Sequence, residues 1–126
     1  MLALMPFAAG TGVVLDAAAP DEVTGHLSWA PKRCTVGGAM HGGALMTLAD
    51  SVGAVCAFLN LPPGASTSTV TSSTNLLRAV RSGTAHAVAR PLNVGRSFIV
   101  VVVELHDDDG RRVAQVTQTQ AVLSGS

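Results

Sequence analysis

Tyrosine is missing from this 126-residue sequence, and its aromatic content is three phenylalanines and one tryptophan, 3% in all. Nucleic-acid binders rely on stacking rings and a basic stripe. With so few rings and a formal net charge of zero, nucleic acid is not an expected partner. Charged residues make up only 13%. Cysteine is limited to Cys34 and Cys56, which form neither a C-x-x-C motif nor a dense framework. That excludes a disulfide scaffold and leads us to expect two reduced thiols in a cytoplasmic protein. No apolar run reaches transmembrane length without a polar interruption, so no membrane partner is expected. Met1 to Ala9 lacks a basic region ahead of its apolar residues, so no secretory leader is expected either. Repeats and linkers are also missing, and residues 1–126 are expected to form one domain.

Apolar residues are what the chain has in quantity, at 48%. That excludes disorder and exceeds what one small domain comfortably hides, so we expect an oligomer that buries some of it between subunits. The acidic residues are unevenly placed. Asp50 is the only one between Glu22 and Glu104, while the same stretch holds Lys32, Arg33, Arg78, Arg81, Arg90 and Arg96. Such a surface suits a polyanionic small molecule, because Arg matches phosphate geometry. The plainer reading is a solvated face balanced by the acidic ends.

Hydropathy patterning gives the elements. Val23 to Trp29 alternates cleanly, as a half-buried strand does, and Pro31 closes it. Val13 to Leu15 is a shorter candidate strand before a turn at Pro20 and Asp21. A glycine-rich stretch, Thr35 to Gly43, precedes Ala44 to Leu59, which is apolar almost all round. That pattern predicts a helix enclosed by its surroundings, stopped by Pro62-Pro63-Gly64. Strands are predicted over Thr69–Leu77, Thr84–Pro91, Ser97–Leu105 and Val113–Leu123, with Asp109-Gly110 marking a hairpin between the last two. The β-branched run Ile99 to Val103 predicts a strand covered on both faces. An antiparallel sheet curled around one hydrophobic helix satisfies all of these patterns, and the fold class is α+β.

Few residues can carry chemistry. Gly42 and Gly43 stand at the first turn of the helix, where backbone N–H groups lack partners and carry partial positive charge. Glycine lets a ligand approach that backbone, so the helix end suits a carbonyl oxygen that becomes negative in acyl transfer. The plainer alternative is a tight turn for close packing. Asp50 lies about two turns into the apolar helix, where a carboxylate is expensive to bury without a partner or a cavity. Apolar surroundings there would raise its pKa and make it a better base; the alternative is a structural bond to Ser51 or Thr47. Taken on its own, His41 is a loop histidine. His26, His86 and His106 have no metal-ligand spacing, so no metal is expected. Ser51 lacks a G-x-S-x-G elbow. Cys34 with His41 is a conceivable nucleophile pair, but nothing around Cys34 marks it as activated, and Cys56 is read as core filling.

The run Gly38-x-x-His41-Gly42-Gly43, with Leu48-Ala49-Asp50 placing a carboxylate nine residues after the histidine, resembles the signature of PaaI-like hotdog thioesterases. Thr69 to Val80, Gly95-Arg96 and Asp109-Gly110-Arg111 are similar to that family's later strands and hairpin, so the resemblance spans essentially the whole chain. It implies the hotdog fold and hydrolysis of an acyl-CoA thioester, with no cofactor and no metal. Asp50 would be general base or nucleophile, the Gly42 N–H would polarise the carbonyl, Gly43 would shape the turn, His41 would support the site and Thr71 would orient water. It also implies a homodimer or homotetramer with sites at the subunit interface. Thr35 stands where the family carries Asn or Gln and cannot offer the same amide. Arg78, Arg81, Arg90 and Arg96 are the candidates for the phosphates of coenzyme A. A non-catalytic acyl- or CoA-binding hotdog oligomer is the competing reading, favoured only by Thr35. A hotdog dehydratase would want a histidine-centred site that the Gly-Gly and Asp arrangement does not provide.

Overall fold

The computed structural model describes residues 2–124. After a short 3₁₀ turn comes helix α1 (Pro6–Thr11), which starts on a proline suited to the first helical position and ends at Gly12, whose φ of 108° favours glycine. Strands β1 (Val14–Ala19) and β2 (Glu22–Ser28) form the first antiparallel pair. Two more 3₁₀ turns lead into helix α2 (Gly42–Leu59), followed by β3 (Ser66–Leu76), β4 (Thr84–Val94), β5 (Phe98–His106) and β6 (Arg112–Leu123). The sheet is antiparallel throughout, in the order β1-β2-β4-β5-β6-β3.

The inward residues explain why this sheet wraps this helix. Ala85, Ala87 and Ala89 on β4 give α2 room to approach, and Ile99, Val101, Val103 and Leu105 on β5 fill the space beside Leu48, Val52 and Val55. On length and composition α2 could cross a bilayer, but half of it is buried against the sheet.

The sequence-based expectations hold for the helix and every strand, with boundary shifts. β4 runs on to Val94 past a bulge, and Pro91 is tolerated because pairing with β2 has already ended at Ala89. The Asp109-Gly110 hairpin forms as expected. Asp107 accepts the N–H groups of Asp109 and Arg111, and Gly110 sits at φ 79°. Those backbone bonds from Arg111, with the guanidinium beside it, hold the Asp107 carboxyl below its ordinary value.

Three expectations change. Helix α1 was not anticipated. Only one face of β5 is fully covered, because Val100 and Val102 lie on the outer face of a sheet with a single helix layer. And α2 is not enclosed all round: Met46, Asp50, Ala54 and Phe58, spaced four apart on one stripe, stay partly or wholly open.

Candidate active site

The start of α2 is fixed by backbone bonds before any side chain acts. Met40 donates to the Val80 carbonyl and His41 to that of Arg33, both at 2.8 Å. His41 is the residue capping α2, with φ −60° and ψ 135°, and its Nδ1 accepts the Gly43 N–H at 2.8 Å. A nitrogen that accepts carries no proton, so in the neutral ring the proton is on Nε2.

The two glycines after it have separate steric reasons. A Cβ on Gly43 would stand 2.9 Å from the His41 ring, and one on Gly42 would stand 2.7 Å from Cδ1 of Leu76 on β3. The His41 carbonyl takes the N–H groups of Ala44 and Leu45. Among the described residues nothing accepts the Gly42 N–H. That leaves one free donor at the positive end of an 18-residue helix.

Asp50 is exposed rather than buried. It lies on the open stripe of α2 and lines a cleft of about 440 Å³ whose other walls include Met5, Pro6 and Phe7 from α1 and its approach, Met46, and Ser72 from β3. The carboxylate is held on one side only. Oδ1 accepts from Nε2 of Gln118 at 2.6 Å and from Oγ1 of Thr69 at 3.2 Å, and among the described residues nothing bonds Oδ2. A second cleft of about 430 Å³ is lined by Lys32, Arg33, Cys34, His41 and Gly43, and Phe7 and Thr47 line both. Arg33 ties the far end of α1 down, bonding the carbonyls of Thr11 and Ser28 at 2.5 and 3.0 Å.

The residues singled out from sequence are only partly brought together. Asp50 has a hydroxyl partner, but it is Thr69. Thr71 stands beyond a bulge at Val70 that shifts the register with β6. Thr35 is exposed, makes no side-chain bond among the described residues and lines neither cleft. The arginines are dispersed. Arg90 lies on the outer sheet face in an ion pair with Glu22 at 2.8 Å, Arg81 donates to the Gly37 carbonyl, and Arg96 sits in the β4–β5 turn. Arg78 alone borders the recess onto which Gly42 opens. Cys34 shares a cleft with His41, but its thiol is directed at the carbonyls of Ala30 and Gly38. Burial, with help from the charge of Asp21, pushes the Cys56 thiol up to about 11, in keeping with core filling. His26 and His86 pair with Asp16 and Asp108 on the outer face.

Gln118 was missed by sequence reasoning, although the strand's alternation carried a signal: Ala114, Val116, Gln118 and Gln120 share one side of β6.

The family model described as Thioesterase superfamily matches residues 37–114. The chain is 31% identical over 86 residues to the 1,4-dihydroxy-2-naphthoyl-CoA hydrolase of Escherichia coli, a match covering 68% of this chain and 63% of the hydrolase, less than two thirds of that relative's length. Among solved structures, a thioesterase variant from Pseudomonas aeruginosa superposes with a TM-score of 0.88 at 28% identity, over 93% of this chain and 85% of that one. The PaaI protein of the E. coli phenylacetic acid degradation operon superposes at 0.88 over 96% and 86%, and at 19% identity it speaks for the fold alone.

Proposed function

Because this chain belongs to the thioesterase superfamily, with the hotdog fold, we propose that it hydrolyses an acyl-CoA thioester, using Asp50 as general base or nucleophile and the Gly42 N–H as oxyanion donor. The observation that carries this reading is Asp50 itself: a carboxylate lining an apolar cleft, with one oxygen anchored and the other without a bond among the described residues. In the base route, Asp50 takes a proton from water as the water oxygen bonds to the carbonyl carbon. The developing oxyanion meets the Gly42 N–H, and collapse expels the CoA thiolate, which is then protonated. As nucleophile, Asp50 would displace the CoA thiolate to form a mixed anhydride, which water then cleaves to the free acid and the regenerated carboxylate. His41 supports the site by capping α2, which aims the helix end.

One chain does not bring these two groups to a common point. Asp50 lies eight helical steps beyond Gly42, about 12 Å along the axis, and the recess at Gly42 shares no lining residue with the cleft at Asp50. The outer edge of β3 offers a route to a second copy. It is an 11-residue edge strand without a single charge or proline, with Val70 55% exposed, and strands of that kind pair readily. Two-fold pairing there would set the Gly42 end of one helix beside Asp50 of the other. Light scattering should therefore give two or four times the 12.7 kDa chain mass; a monomer at micromolar concentration would remove the shared site.

An aromatic or medium-chain acyl group suits the apolar cleft, and the naphthoyl-CoA hydrolase relative supports the aromatic choice. The test is a panel of aromatic and straight-chain acyl-CoAs with the released thiol trapped by a chromogenic reagent. Turnover of none of them would favour the non-catalytic acyl- or CoA-binding oligomer, for which the unpartnered Thr35 is the supporting observation.

Phe7 is placed to set acyl preference, since it walls both clefts while 76% exposed. Phe7→Ala should raise KM for an aromatic acyl-CoA about tenfold, the loss of one aromatic contact surface, with kcat near the parent value. Unchanged KM across the panel would place the acyl group elsewhere.

A further inference from the structure

We propose that Gln118 is a positioning residue that, with Thr69, fixes Oδ1 of Asp50 so that Oδ2 alone meets water or substrate; this rests on Asp50 being the reactive carboxylate. Gln118 is fully buried on the inward face of β6, at a level where a leucine or valine would pack against α2 without polar cost. Its amide spans the helix surface. Nε2 meets Asp50 Oδ1 at 2.6 Å, and Oε1 lies over Gly53, where a Cβ would come within 2.2 Å of it. Gly53 is three residues beyond Asp50 and so on the same helix face. A mid-helix glycine is less favourable than alanine, and here it makes the room through which Gln118 reaches the carboxylate.

The direction of the network is fixed. A carboxylate only accepts, so the amide nitrogen of Gln118 must face Asp50. Gln120, also buried, donates from Nε2 to Thr69 Oγ1 at 2.9 Å and toward Gln118 Oε1 at 3.4 Å, while the Thr67 hydroxyl, whose shorter bond at 2.8 Å is to the Ala121 carbonyl, lies 3.2 Å from Gln120 Oε1. Thr69, with its oxygen already accepting, turns its proton to Asp50 at 3.2 Å. Both donors thus converge on one carboxylate oxygen, and the charge-assisted bond from Gln118 is the shorter. A reactive group held in one orientation avoids the loss that misplacement brings.

The test is a double-mutant cycle. Gln118→Met keeps length and volume but removes the donor. It should lower kcat about 10- to 100-fold with KM for the acyl-CoA unchanged. In an Asp50→Asn background the same substitution should cost nothing further, because a positioning residue acts only through the group it holds. Thr69→Val, on the exposed edge strand where folding is not at risk, should give a smaller loss that also vanishes in that background. Thermal unfolding confirms that each variant is folded. A kcat within twofold of the parent for Gln118→Met, or an equal loss in both backgrounds, overturns the positioning role. If Asp50→Asn itself turns over at the parent rate, the catalytic reading of Asp50 fails and the positioning role with it. Asp50→Asn inactive beside a fully active Gln118→Met removes the positioning role alone.

Discussion

Replacing Asp50 by alanine is expected to lower kcat about 10²- to 10⁴-fold, the contribution of a positioned base, while the fold survives. Survival follows from where the side chain is: on the open stripe of α2, outside the core, so no cavity is created. The local cost is the Gln118 amide, which loses its acceptor, about 1–3 kcal/mol if no water replaces it. Asp50→Asn isolates the chemistry further, because a side-chain oxygen can still accept from Gln118 while the carboxylate is gone. Asp50→Glu should keep part of the activity, since the resemblance to PaaI-like enzymes implies that either carboxylate serves. Steady-state hydrolysis of an acyl-CoA beside thermal unfolding checks all three. Near-parent turnover by Asp50→Ala would sink the assignment.

Hydropathy alone made the central helix, the four later strands and the Asp109-Gly110 hairpin legible, because each repeats one period over many residues or uses a turn that few dipeptides support. The His41-Gly42-Gly43 and Asp50 spacing was legible through the resemblance, and the structure adds the reasons. His41 caps the helix, Gly43 clears its ring, and Gly42 clears Leu76 and leaves its N–H free.

What stayed hidden depends on three-dimensional neighbours. The six-residue α1 carries too short a pattern to register, yet its Phe7 walls both clefts. The bulge at Val70 puts Thr69 and Thr71 out of step, so that Thr69 is the hydroxyl bonded to Asp50, and nothing in a run of serines and threonines announces a bulge. The arginines looked clustered because acids are missing from the sequence between them. The sheet carried Arg90 to the outer face, where β2 supplied Glu22 as its partner. Gln118 was hidden for the opposite reason: a polar residue on an inward face makes sense only once Asp50 and Gly53 are seen across from it.

Gly42→Pro should be nearly as damaging as loss of Asp50, with kcat lower by about 10²- to 10³-fold, the effect of deleting one oxyanion donor. The substitution removes the N–H and adds the proline ring. Proline is well tolerated at the first position of a helix, and His41 before it already has the extended φ of −60° and ψ of 135° that a following proline demands. Added bulk would meet the tip of Leu76, so Gly42→Ala, which has the same Cβ but keeps the N–H, is the steric control and should stay close to the parent rate. The pair also tests whether the site is shared. Gly42→Pro and Asp50→Ala chains are each inactive as homodimers, but a mixed dimer has one site with both groups intact and one with neither. Half of the dimers formed from an equal mixture are mixed, so about a quarter of the parent activity should return after dissociation and reassociation. Recovery of that size places Gly42 and Asp50 of one site on different chains. Absence of recovery, with mixed dimers verified by mass, would put both groups on one chain and require the substrate to bridge the 18-residue helix from its start to its middle.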